Sequence, residues 1–177
     1  SASLAPYIMQ SNEKFILVST GTWCINMNPF NHEPLTFEQL ERDCLCYMSV
    51  SQKPVKSSRL FMGRIHDLNV QRLSGHFQVQ EEYYKQIVFN EQWLSGLSFD
   101  KKEFFAQGVP GKLIDNRVDL SKFESFEAAY HQLMMDLSAL CKQSIDLVIP
   151  GNDNIASLYV TGGFARSEIF VRLLARR

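Results

Sequence analysis

The sequence has little net charge: 18 Lys and Arg stand against 19 Asp and Glu, leaving −1 over 177 residues. Such a balance gives no long-range field to draw in nucleic acid or anionic lipid. No apolar run approaches the ~18 residues of a membrane-crossing helix. The opening Ser1-Ala2-Ser3-Leu4-Ala5-Pro6 has neither a basic region nor a long apolar stretch, so it does not read as a secretory signal. It also lacks an initiator Met, and the expectation is that something upstream has been removed. Cysteine is sparse: Cys24, Cys44, Cys46 and Cys141 include no Cys-x-x-Cys pair. That spacing fits neither a zinc site nor a disulfide framework, and reduced, buried thiols in a cytoplasmic protein are expected.

Several catalytic signatures are missing too. There is no Gly-x-Gly-x-x-Gly, no Gly-Lys-Ser/Thr and no Gly-x-Ser-x-Gly, which removes the dinucleotide fingerprint, the P-loop and the hydrolase nucleophile elbow. His32, His66, His76 and His131 are scattered without metal-ligand spacing and read as surface or core residues. Repeats and low-complexity tracts are absent.

What the chain does have is apolar bulk. Hydrophobic residues make up 45%, and 13 Phe, 6 Tyr and 2 Trp supply aromatic area. A chain of this length forms one domain, two at most, and buries roughly 70% of its unfolded surface. Phe15-Ile-Leu-Val-Ser19 is a short continuous apolar run, as in a strand buried on both faces. A turn at Thr20-Gly21-Thr22 leads to a second strand over 23–27, and 44–50 reads as a third. From Ile65 the period lengthens: Ile65, Leu68, Val70, Leu73 and Phe77 predict an amphipathic helix, weakened at Gly75. Residues 83–93 read as helix or loop, and the Gly-rich stretch 95–111 as a surface excursion. Ser121-x-x-Glu124 has the capping-box form ahead of a helix carrying Phe126, Tyr130, Leu133, Met134, Leu137 and Cys141 on one face, with Met134-Met135 as core filling. After a break at 149–152, a strand over 155–160 passes through Thr161-Gly162-Gly163 directly into a helix over 165–175. Strands first, then helices, then a strand–Gly-Gly–helix unit make an α/β or mixed-sheet layout.

The two strand exits are the candidate sites. At Val18-Ser19-Thr20-Gly21-Thr22, glycine allows backbone N–H groups to approach an anion, and the hydroxyls add donors. At Tyr159-Val160-Thr161-Gly162-Gly163-Phe164-Ala165-Arg166-Ser167, two glycines permit a flat ligand to rest on backbone ahead of a helix. The alternative readings are an ordinary hairpin whose hydroxyls satisfy its own turn, and close strand–helix packing.

Three stretches in order resemble the C-terminal lobe of FGGY carbohydrate kinases, within the sugar-kinase, actin and heat-shock-chaperone ATPase superfamily. Residues 15–25 look like the family's second phosphate motif, and the Ser/Thr-Gly-Thr-Trp form is similar to rhamnulose- or fuculose-type kinases. Residues 58–67 look like the segment leading from the sheet into the first helices. Residues 158–167 are similar to the adenosine motif, with Phe164 where some members have a third glycine and Ser167 where Asn is frequent.

The resemblance implies an actin-like ATPase (ribonuclease H-like) lobe, a mixed sheet flanked by helices, spanning 1–177. It implies part of an ATP- and Mg²⁺-dependent kinase that phosphorylates a ketose or deoxyketose. A non-catalytic nucleotide sensor or scaffold on the same fold is the alternative. Thr20, Gly21 and Thr22 would meet the β/γ-phosphates. Gly162 and Gly163 would line the adenosine pocket, with Phe164, Arg166 and Ser167 beside it. No catalytic residue and no metal ligand is assigned. The base would precede Ser1, which resembles the start of the helix following the family's catalytic Asp; the family's Asp-x-Gly phosphate motif is absent, and a last strand and helix would follow Arg177. The chain is then expected to be inactive alone, to meet sugar and ATP but neither nucleic acid nor membrane, and to leave homo-oligomerisation open.

Overall fold

In the computed structural model, residues 4–49, 51–94, 102–151 and 153–177 are described. The first residues of the expected N-terminal helix, 1–3, the end of the third expected strand at Val50, residues 95–101 of the expected surface excursion, and Asn152 of the expected break lie outside them.

The apolar run becomes strand β1 (Phe15–Thr20), and its alternate side chains serve two cores. Ile16 and Val18 join the larger core, Phe15 and Leu17 the smaller. β2 (Cys24–Asn28) returns antiparallel, with Leu17 opposite Met27 and Thr20 opposite Cys24. Beyond it lies β4 (Pro54–Leu60), antiparallel to β2, and then β3 (Cys44–Met48) at the edge. On the other side β5 (Ser157–Gly162) runs parallel to β1, from Phe15 opposite Ser157 to Thr20 opposite Gly162. The sheet order is β3-β4-β2-β1-β5, a mixed sheet as expected.

Helices α3 (Met62–Phe77), α4 (Phe126–Asp146) and α5 (Glu168–Ala175) contribute Ile65, Leu73, Leu133, Leu137, Phe170 and their neighbours to the larger core. The smaller core on the opposite face takes Leu4 and Tyr7, at and within the six-residue α1 (Ala5–Gln10). A short α2 (Phe37–Glu41) carries a complete capping box between Thr36 and Gln39. Among the described residues no helix is long and apolar enough to cross a membrane.

Several expectations need correction. Four strands, not three, precede the first long helix, because β4 is a full internal strand. Its Lys56, Ser57 and Ser58 are buried, so hydropathy conceals it. The capping box at Ser121 does not form: Asp119 accepts hydrogen bonds from the Ser121 N–H and hydroxyl and holds Leu120–Lys122 in a 3₁₀ turn. Ser125 caps α4 instead, its Oγ accepting from Ala128 N–H at 3.2 Å. α5 begins at Glu168, not 165, because Gly163–Arg166 forms a 3₁₀ turn and Ser167 caps the helix through Phe170 N–H. α3 starts earlier than expected, at Met62, and ends where Gln78 turns left-handed at φ 57°. Residues 83–93 hold parts of two 3₁₀ segments. Cys24, Cys44 and Cys141 are buried as expected, but Cys46 is exposed.

The excursion is also more than surface, since Phe104 and Phe105 are fully buried. Asp136 on α4 holds them: its carboxylate accepts from Phe104 N–H at 2.6 Å and from Gln132 Nε2 at 2.7 Å. Burial nevertheless pushes its pKa up to about 6, outweighing those donors. A raised folded pKa means that the contribution is fully present below the unfolded carboxyl's value and is lost as pH rises through about 6. At ~1.4 kcal/mol per pH unit, stability should fall by about 2 kcal/mol between pH 4 and pH 7 on account of this group. Denaturant unfolding across that range should show the slope in the wild type and its loss in Asp136→Asn.

Candidate functional site

Strand direction determines where the loops gather. β1, β4 and β5 all run the same way, and their C-terminal residues Thr20, Leu60 and Gly162 fall in one row through the pairs Gly162–Thr20, Thr20–Cys24 and Cys24–Leu60. Three loops therefore leave the sheet at one edge, two of them leading into α3 and α5. Open α/β sheets bind their ligands outside such an edge.

The loops are locked together by backbone and by one hydroxyl. Thr20, only 4% exposed, donates its Oγ1–H to Thr161 O at 2.5 Å and accepts from Phe164 N–H at 3.1 Å. Gly162 has φ 86°, and a Cβ there would lie 1.7 Å from Thr20 O. Gly63, in the first turn of α3, donates its N–H to Thr22 O at 3.1 Å. A Cβ on Gly63 would lie 2.4 Å from Gly21 O and 2.8 Å from Thr22 Cα. α3 can meet the turn this closely only because the position has no side chain.

Between these loops lies a cavity of about 270 Å³, near the lower end of small-molecule sites, which begin at ~300 Å³. Its backbone surfaces come from Gly21, Thr22, Gly63 and Gly163, and its apolar walls from Tyr84, Tyr130, Met134 and Phe164. His66, Asp67 and Ser167 add polar groups. The His66 ring meets Tyr84, Tyr130 and Phe164 edge to face, with centroids 4.9, 6.0 and 5.2 Å away.

Of the residues picked from sequence, Gly21, Thr22, Gly163, Phe164 and Ser167 line this cavity. Thr20 and Gly162 lie outside its lining and hold the two exits against each other, so the close packing is realised, whereas the Thr20 hydroxyl serves the second exit and not its own turn. Arg166 is exposed and outside the lining. Gly63, His66, Asp67, Tyr84, Tyr130 and Met134 were not picked. The 58–67 stretch carried the first three, but their approach to α4 exists only in three dimensions.

The electrostatics are spare. Burial lowers the His66 pKa below the ordinary imidazole value, with the Asp67 carboxylate at 3.1 Å opposing. His66 Nε2 is 3.3 Å from the Tyr130 hydroxyl, whose own pKa burial raises. His66 and Tyr130 are therefore neutral near pH 7, and Asp67 is the one carboxylate in the lining. No lysine or arginine lines the cavity among the described residues. The Thr22 hydroxyl is exposed and makes no hydrogen bond among them. Nor do they include a cluster of three metal-ligating side chains.

Replacing Thr20 by the isosteric Val should leave Thr161 O and Phe164 N–H without their partner. The expected loss is about 2 kcal/mol of stability in denaturant unfolding, and Thr20→Ser should recover most of it.

The family pattern described as "Carbohydrate kinase FGGY, C-terminal domain" matches residues 12–177. Among curated proteins none matches the chain. Among solved structures, a carbohydrate kinase from Novosphingobium aromaticivorans is 20% identical, with TM-score 0.61 over 93% of this chain and 34% of its own. A ligand-bound xylulose kinase from Lactobacillus acidophilus is 12% identical, with TM-score 0.63 over 91% and 33%. A xylulose kinase from Bifidobacterium adolescentis is 11% identical, with TM-score 0.60 over 96% and 33%. The chain thus spans about a third of the length of each of these structures and shares its fold with that part.

Proposed function

The chain belongs to the carbohydrate kinase FGGY family, whose C-terminal domains have the actin-like ATPase fold, and from that premise we propose that it is the nucleotide-binding lobe of a two-lobe sugar kinase. The observation that supports this most is the meeting of Gly21, Gly63 and Gly163 around one cavity with aromatic walls. Glycine backbones suit phosphates, and flat apolar walls suit a base.

In this reading Phe164, Tyr84 and Tyr130 wall the adenine, with Gly163 and Ser167 beside the nucleoside. Gly21 and the free hydroxyl of Thr22 meet the β/γ-phosphates, while Thr20 and Gly162 hold the loops that do so. The acceptor hydroxyl oxygen bonds to the γ-phosphorus as the bond to the β–γ bridging oxygen breaks, releasing ADP. The hydroxyl proton passes to a carboxylate upstream of Ser1. Asp67, the carboxylate in the lining among the described residues, would be available to an Mg²⁺ carried in with ATP, and that ion would supply charge neutralisation. With no lysine or arginine among the described residues lining the cavity, the other lobe supplies further positive charge in this reading. A ketose or deoxyketose is the proposed acceptor, on the strength of the Gly21-Thr22-Trp23 sequence.

The test is ATP consumption by the two-lobe enzyme over a panel of ketoses and deoxyketoses, with calorimetric ATP titration of the 177-residue chain alongside. ATP binding by the chain, sugar turnover by the enzyme and none by the chain are expected. ATP binding without turnover of any sugar would favour the nucleotide sensor, and no ATP binding to either would remove the reading.

A further inference from the structure

The turn that carries Gly21 and Thr22 ends in a residue the cavity does not use. Trp23 is 41% exposed, yet it is not loose. Its indole stacks on Phe61, with ring centroids 4.4 Å apart and planes 22° apart. The Arg59 guanidinium lies 5.3 Å from the indole centroid and is itself tied to Asp43 at 2.5 Å. Gly21 N–H donates to Trp23 O at 3.0 Å, fixing the backbone as well. A large aromatic left partly open to solvent while ring, cation and backbone hold it in place is a prepared surface rather than a side chain in search of cover. Arg59 adds a second sign: its side chain is 34% exposed beside this stack, so part of the guanidinium is open to an acceptor.

Position supplies the rest. Trp23 directly follows Thr22, the residue assigned to the phosphates, and is not part of the lining that holds the aromatic walls assigned to the base. In a transfer reaction the acceptor must meet the γ-phosphate. We propose that Trp23, held by Phe61 and Arg59, is the platform on which the acceptor sugar lies. The inference rests on the kinase reading above and deepens it. The surface suits a neutral polyhydroxylated molecule: the indole takes a face of C–H bonds, and the ring hydroxyls offer acceptors to the guanidinium edge. Asp43 already balances the charge of Arg59, so the platform gives no advantage to a sugar acid over a neutral sugar. Trp23 is a positioning residue that touches substrate without taking part in bond making.

Steady-state kinetics of the two-lobe enzyme test this, with sugar and ATP varied separately. Trp23→Ala should raise the KM for sugar at least tenfold and leave the KM for ATP within twofold, and Trp23→Phe should recover most of the loss. A second measurement is independent of the fate of the Ala variant. In the two-lobe enzyme the neutral sugar that serves as substrate should shift or quench indole fluorescence, and that response should be lost in Trp23→Phe, which still binds the sugar, while any response to ATP should persist. If the wild type phosphorylates sugar but neither the sugar KM nor the Trp23 emission responds, the platform is wrong and the kinase reading stands. Equal rises in both KM values would make Trp23 a support of the turn, and would also overturn the platform. If the wild type neither binds ATP nor turns over sugar, the kinase reading falls and the platform with it.

Discussion

Gly162→Ala should lower the stability of the chain by about 3 kcal/mol or more and abolish nucleotide binding. Two independent costs meet at this position. The backbone sits at φ 86°, ψ −158°, a region that is essentially restricted to glycine and costs a side chain about 1–3 kcal/mol. The new Cβ would also stand 1.7 Å from Thr20 O, a backbone atom that no rotamer change can move. Relief requires separating β5 from β1 at their last pair, Thr20 opposite Gly162. That separation breaks the contacts of Thr20 with Thr161 and Phe164. For a chain of this length the melting temperature should drop by roughly 6–12 °C. Gly163→Ala is the matched control, because a Cβ there meets no atom within 4 Å. It should stay within about 0.5 kcal/mol of wild type. Thermal unfolding of the pair decides the matter, and equal melting points would refute the backbone argument.

Gly63→Ala should cost affinity more than stability. Alanine favours a helix over glycine by ~1 kcal/mol, which offsets part of any crowding. Its Cβ, however, would press on Gly21 O at 2.4 Å and Thr22 Cα at 2.8 Å. Gly21, Thr22 and Trp23 are exposed, so the turn yields outward instead of unfolding the sheet. The bond from Gly63 N–H to Thr22 O then stretches and the cavity loses one side. Net destabilisation should be about 1 kcal/mol, within the usual range for overpacking. ATP affinity should fall about tenfold or more, a loss of ~1.4 kcal/mol at least. Calorimetric titration of the variant beside its unfolding curve separates the two. An unchanged affinity with a displaced turn would remove that turn from the nucleotide site.

Legibility in the sequence followed the range of the forces involved. β1 was readable because burial on both faces demands an unbroken apolar run, which residues 15–18 supply. β4 was not, because its buried polar residues are satisfied by partners far along the chain: Ser58 donates to Ser144 O, 86 residues away, and Lys56 Nζ to Pro34 O and Gln39 Oε1. Burial of that kind leaves no mark on hydropathy. The start of α4 failed for a neighbouring reason. Ser121 and Glu124 have the right spacing, but Asp119 reaches the Ser121 hydroxyl first. The pair Phe104-Phe105 in a Gly-rich stretch was a sign of burial that the turn residues around it masked. In the candidate site, the two exits could be read because glycine at a strand end has few uses. The wall made by Tyr84 and Tyr130 could not, because Tyr84, on the 3₁₀ segment after α3, and Tyr130, on α4, share the cavity only in the packed fold.

The parallel pairing of β1 with β5 also sets a schedule. The hydroxyl bond from Thr20 to Thr161 joins residues 141 positions apart, so a chain growing at the ribosome completes the two halves of the cavity at different times. At 5–20 residues per second the interval is about 7–28 s. Through that interval β1 has no neighbour on one side, and its exposed edge is a hazard for misassociation. Closing so long a loop is among the slowest steps available to a domain of this size. Completion of the cavity then belongs to the final stage of folding, and any ligand of the cavity would stabilise the chain by holding together the two strands most distant in sequence.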